Sequence, residues 1–154
     1  KEILEKYHEL SAVQWEGVIG SMHVPSQAEW EQLLTDCSAF LFCGMERFMS
    51  HVLLNRLVAM NIPKCHVMIL LDLVRSQQSY RRITNSDTHK SCAQLALEGP
   101  AESAALLSLA GVRCVLAPHC YSGLRDNARR LELLLHYLLG VGRTTGQTVR
   151  ILQK

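Results

Sequence analysis

The sequence predicts an α/β fold, a three-layer sandwich with a mostly parallel sheet and helices on both faces. Three short runs, SAFLFC (38–43), CHVMILLD (65–72) and VRCVLAP (112–118), are apolar throughout instead of alternating, which marks strands buried on both sides. Segments with helical patterning separate these runs, and strand-helix-strand order gives parallel neighbours joined by right-handed crossovers. No internal repeat and no linker rich in Gly, Ser or Pro divides the 154 residues, a length that suits one compact domain.

The elements follow in order. Residues 1–10 read as helical and WEGVIGS (15–21) admits a short strand; residues 1–35 are a lead-in to the same domain, whose main body spans 36–154. In PSQAEWEQLLTD (25–36), Ser26 stands as N-cap with Glu29 three residues on, the pattern of a capping box. ERFMSHVLLNRLVAM (46–60) reads as one helix closed by NIP, with Arg47, His51 and Asn55 on its polar line. RSQQSYRRITNSDTHKSC (75–92) is polar and aperiodic and reads as a surface loop with room for a helical turn at QQSYRR. GPAESAALLSLAG (99–111) has Pro100 at a helix start and Gly111 at the stop. In YSGLRDNARRLELLLHYLLG (121–140), Leu124, Ala128, Leu131, Leu135 and Leu138 recur at steps of three and four on one helical face. GVGRTTG (140–146) follows a helix and lacks the Lys-Ser/Thr of a phosphate loop, so it reads as a helix stop and the start of a short terminal helix.

Composition removes several function classes. Sixteen Lys and Arg against fourteen Asp and Glu leave a net charge of +2 with no block of about five or more like charges, so nucleic acid has no electrostatic footprint. Apolar runs fall well short of the roughly 20 residues of a membrane span. KEILEKYHEL is not a signal peptide, and a start without methionine reads as a piece of a longer chain, so the expectation is a soluble intracellular segment with no membrane partner. The six cysteines (Cys37, Cys43, Cys65, Cys92, Cys114 and Cys120) form no C-x-x-C pair and no zinc spacing with histidine, so neither metal nor cofactor is expected. Cys43, Cys65 and Cys114 lie in apolar runs, where reduced core thiols are expected. His89 with Cys92, and His119 beside Cys120, are local contacts only.

The order of strand, G-x-x-x-F helix, second apolar strand, polar segment and then PAESAALLSLAGVRCVLAPHCYSGLRDNARRLELLLHYLLG resembles the CHAT domains, caspase-like relatives of separase, over residues 36–150. In those domains a helix ending in A-G-V or A-G-A feeds a strand, and a long final helix ends in leucine-glycine. The resemblance implies a caspase-like sandwich with a catalytic histidine just past the first strand and a nucleophilic cysteine at the end of the second. Here the histidine position holds Met45, inside GMERF, and the cysteine position falls on Asp72 or Leu73. A thioether cannot act as a base, and neither a carboxylate nor a leucine can form a thiolate. Base and nucleophile work as a unit, so the expectation is a pseudo-peptidase without catalytic residues. The alternative is an active cysteine peptidase with a rearranged dyad, in which Cys43 meets a histidine such as His66 or His119. Asp72 itself reads either as a lone acid at a pocket mouth or as a cap for backbone amides.

The wording of GMERF, LLDLVRSQQSYRR and ESAALLSLAGV is similar to large proteins of the ciliary central apparatus. That likeness implies a structural, protein-binding role in the axoneme of motile cilia and flagella, a cytoskeletal location, and other central-apparatus projection proteins as partners. Tyr80, Arg81 and Arg82 in the polar segment are of types enriched in interface hot spots. Arg129 and Arg130 form a second basic doublet, suited to a neighbouring protein or to the acidic surface of tubulin.

Overall fold

The computed structural model describes residues 2–8, 14–20, 23–72 and 74–153. In chain order these form α1 (Glu2–His8), α2 (Gln27–Asp36), β1 (Ala39–Cys43), a 3-10 turn at Phe48–Ser50, α3 (Leu54–Ala59), β2 (Val67–Leu71) and α4 (Gln77–Asp87). They continue through α5 (Cys92–Leu97), α6 (Pro100–Leu109), β3 (Val115–Leu116), α7 (Leu124–Leu135), a π turn at His136–Gly140 and α8 (Thr145–Leu152). Val24–Gly123 makes one compact unit, and 1–23 with 124–154 make a second.

The larger unit carries a three-stranded parallel sheet in the order β1-β2-β3, with helices around it, so the α/β class read from the sequence holds. Phe40 lies opposite Met68 and Phe42 opposite Leu70. The central strand is buried on both faces, Met68 and Leu70 on one and Ile69 and Leu71 on the other, which is why CHVMILLD shows no alternation. Trp30 and Leu34 of α2, Phe48, Leu57 of α3 and Leu107 of α6 join the first face in a single core. The Trp30 ring sits 6.3, 6.0 and 6.1 Å from the rings of Phe40, Phe42 and Phe48. Tilted and edge-on contacts of this kind contribute about 0.5–1.5 kcal/mol each beyond the area they bury.

The signals at the helix ends act as read. Glu29 N–H donates to Ser26 Oγ at 3.4 Å and Ser26 N–H to Glu29 Oε2 at 2.7 Å, closing the capping box of α2. Gly111 follows α6 with φ of +111°, and a Cβ there would stand 3.2 Å from the Ile62 carbonyl carbon, so both conformation and space require glycine. In the smaller unit, Lys6 Nζ meets Glu132 Oε1 at 3.0 Å and Tyr7 Oη donates to the Glu132 carbonyl at 3.4 Å, joining α1 to α7. Thr144 and Gln147 close a capping box at α8, the short terminal helix expected after GVGRTTG.

Several elements depart from the sequence reading. The described part of WEGVIGS is irregular, because Gly17 and Gly20 take φ of +145° and +99°, outside the strand region. The helix expected over 46–60 is broken into the 3-10 turn and α3. Arg47 and Leu53 are extended, and the Gln27 side chain takes the bonds a continuous helix would make, donating to His51 O at 2.7 Å and accepting from Leu53 N–H at 3.4 Å. The segment read as a loop over 75–92 is mostly α4, capped by Ser76, whose Oγ accepts from Ser79 N–H at 3.0 Å. Its buried seam is only Ser79 and Ile83, too polar to register as a helical stripe. VRCVLAP pairs as strand only at Val115–Leu116, and Pro118 has no N–H to extend a ladder. On α7 the buried positions are Asn127, Leu131, Leu134 and Leu135, whereas Leu124 and Ala128 are exposed; the leucine-rich sequence admits both stripes.

Candidate functional site

The carboxyl ends of β1 and β2, where a caspase-like fold would place its chemistry, form a joint of backbone contacts. Gly44 N–H donates to Leu71 O at 3.3 Å, one step past the strand pairing. A Cβ on Gly44 would stand 2.6 Å from the Phe42 ring, so glycine lets the chain fold over that ring. The next residue, Met45, offers its carbonyl to Ser79 Oγ at 2.6 Å, and Ser79 is fully buried. Asp72, directly after β2, accepts from Phe48 N–H at 2.8 Å through Oδ2. Arg47, at the N-cap of the 3-10 turn, makes no side-chain cap bond, so Asp72 caps that turn from across the sheet end. Burial pushes the Asp72 carboxyl above the usual carboxylate range, and the Phe48 amide pulls it partly back. Leu73 lies outside the described residues.

Beside this joint stands a polar cluster that the sequence did not announce. The Arg47 guanidinium grips Asp87 with both arms, at 2.7 and 3.0 Å, and reaches Glu98 at 3.1 Å. Lys90 Nζ meets Glu98 at 2.7 Å, Asp87 at 3.5 Å and Ser50 Oγ at 3.2 Å. Two cations and two anions balance with side chains only 9–22% exposed. The hydrogen bonds to Asp87 raise the Arg47 pKa, and the same bonds hold the Asp87 carboxyl below its usual range. The cluster locks the turn after β1 to the ends of α4 and α5. Arg47 stands 40 and 51 residues from Asp87 and Glu98 in the chain, and each member alone reads as an ordinary surface charge.

Of the dyad residues nominated from sequence, Cys43 ends β1 while His66 precedes β2, at opposite ends of the paired strands. Cys43 is exposed on the edge strand and not in the core as expected, because its position on β1 turns outward. Its surroundings are still crowded enough that desolvation pushes the thiol up to about 11, leaving little thiolate at neutral pH. Cys65 is buried and Cys114 half-buried, and all six cysteines are free. His51 does not share a polar line with Arg47 and Asn55. It packs 5.6 Å from the Trp30 ring and 5.5 Å from Phe42, and burial lowers its pKa. His66 and His119 are exposed. Among the described residues no group of three His, Cys, Asp or Glu side chains could hold a metal ion, and no helix is long and apolar enough to cross a membrane.

The nominated contact residues fall in two places. Tyr80, 54% exposed, stacks on Tyr121 at 6.1 Å with 18° between planes. Arg81 and Arg82 follow it on the exposed side of α4, and Arg82 lies 3.6 Å from Glu46. In the other unit Arg129 and Arg130 are exposed on α7. With Asp126, Leu133, Ile151 and Leu152 they line an open cleft of about 380 Å³.

Fold and site together define a small parallel α/β domain whose strand ends are filled by caps and ion pairs. The chain is 31% identical over 142 residues to cilia- and flagella-associated protein 46 of Chlamydomonas reinhardtii; the match spans 87% of this chain and 5% of that protein. No protein-family model matches the chain.

Proposed function

We propose that the chain is a non-catalytic, caspase-like domain that serves as a binding and assembly module in the axoneme of motile cilia and flagella, within the central apparatus. The observation that carries this reading is the use made of Met45 and Asp72. Both stand at adjacent strand ends, where the resemblance expects a histidine and a cysteine: the Asp72 carboxylate is taken up by the Phe48 amide, and Met45 brings a thioether, its backbone carbonyl held by Ser79 Oγ. The similarity to a cilia- and flagella-associated protein supports the location. Contact is assigned to Tyr80, Arg81 and Arg82 on α4, with Arg129 and Arg130 on α7. The partners are other projection proteins of the central apparatus, or the acidic face of tubulin.

The test is reassembly of Tyr80→Ala/Arg81→Ala protein onto axonemes stripped of the native protein. Loss of one hot spot worth about 2 kcal/mol weakens attachment about 30-fold. Because Tyr80 stacks on Tyr121, a Tm measurement on the variant separates weaker attachment from weaker folding. Wild-type attachment by a folded variant would refute the assignment.

A further inference from the structure

We propose that Cys37 and Cys65 form a dithiol modification site, which a hydroperoxide closes into a disulfide between the C-terminal end of α2 and the start of β2. The placement comes from strand register. Ala39 pairs with Val67, so two residues back Cys37 falls opposite Cys65. Beyond the paired strands, His66 N–H donates to Ser38 O at 2.8 Å, which ties together the residues next to the two cysteines, and Cys37 is itself extended, with φ −77° and ψ 146°. Neighbouring strands run about 4.8 Å apart, inside the span of roughly 4.4–6.8 Å between Cα atoms that a disulfide needs. Both side chains turn toward the same interior: Cys65 is a core residue and Cys37 packs against that core.

The two thiols differ in a way that divides their roles. The neighbouring Cys65 thiol lowers the Cys37 pKa, whereas Cys37 together with burial raises that of Cys65. Protonated, Cys37 donates to Leu34 O at 3.5 Å, and Cys65 has Val67 O at 3.4 Å. Cys37 is half-buried and reachable, whereas Cys65 is fully buried. Cys37 is therefore the attacking thiol and Cys65 the resolving one. In the first step the Cys37 thiol gives its proton to solvent and the thiolate attacks the hydroperoxide; the O–O bond breaks, the leaving alkoxide or hydroxide takes a proton back from solvent and departs as alcohol or water, and a sulfenic acid remains. In the second, the Cys65 sulfur displaces hydroxide from that sulfenic acid. The S–S bond forms, and the Cys65 proton departs with the hydroxide as water. Two thiols are oxidised by two electrons and one peroxide is reduced.

The experiment treats the full chain with equimolar hydrogen peroxide, blocks residual thiols with iodoacetamide and maps the non-reduced peptides by mass spectrometry. The expected result is a Cys37–Cys65 cross-link that dithiothreitol reverses, with Cys43, Cys92 and Cys120 still alkylated. The closed form should melt about 10 °C higher, as expected for a bond that adds little strain. In Cys65→Ala protein, Cys37 should stop at a sulfenic acid trapped by dimedone. A wild-type Cys37 that is fully alkylated after peroxide, or oxidised beyond sulfenic acid with Cys65 still a thiol, overturns the proposal. A mapped bond that lowers the melting temperature also counts against it, since the native register would then not accommodate the bridge. The wild-type map decides the matter even if the variant fails to fold.

Discussion

Asp72 combines burial with a strong contact to the Phe48 amide, and its substitutions separate the two effects. Asp72→Ala removes the acceptor for Phe48 N–H and should cost about 1–2 kcal/mol. Asp72→Asn keeps an acceptor while removing a charge that burial disfavours, so its urea midpoint should stay close to wild type. A loss as large as that of alanine would show that the negative charge is itself required. Arg47 and Asp87 give the opposite electrostatic case. Arg47→Met leaves Asp87 and Glu98 to Lys90 alone and should cost about 2–3 kcal/mol. Arg47 depresses the Asp87 pKa in the folded state, so this pair's stabilisation is fully present above the ordinary carboxylate range and is lost as pH falls through the lower native value. Asp72, raised instead, slopes the other way: its effect weakens the fold as pH rises from the unfolded value to the native one. Acid titration of Asp87→Asn, followed by circular dichroism, should therefore show a flatter loss of stability below about pH 4 than wild type.

At the scale of elements, legibility followed the strength of local physics. The capping box at Ser26 and Glu29, the Pro100 start and Gly111 stop of α6, and the apolar β2 were readable because each is decided by neighbours in sequence or by burial on both faces. α4 was not, since its seam is a serine and an isoleucine and its buried hydroxyl is satisfied by Met45, more than thirty residues earlier. The break between the 3-10 turn and α3 was hidden for the same reason: Gln27, on α2, supplies the competing bonds. Gln27→Ala should cost about 1–2 kcal/mol and loosen the 51–53 stretch first, seen as faster amide exchange at Leu53 than at Leu57. Exchange unchanged at Leu53 would mean that the break holds without Gln27.

Across the whole molecule, the class of fold was legible because three apolar runs separated by helices leave few other arrangements. The candidate site was legible in part. Sequence alone indicated that the strand ends carry Met45 and Asp72, and one of the two readings of Asp72 was a cap. Only the folded chain shows which amide it caps, and only there do Arg47, Asp87, Lys90 and Glu98 become one cluster. The central claim is that these strand ends serve as structure and not as catalyst. It is tested most directly by incubating the full chain with peptidyl covalent probes of the caspase and separase type, mapping adducts by mass spectrometry and assaying peptide hydrolysis in parallel. The expected result is no probe adduct at Cys43 or any other cysteine and no hydrolysis above buffer. A probe adduct on Cys43, with peptide cleavage that disappears in Cys43→Ser protein, would contradict it.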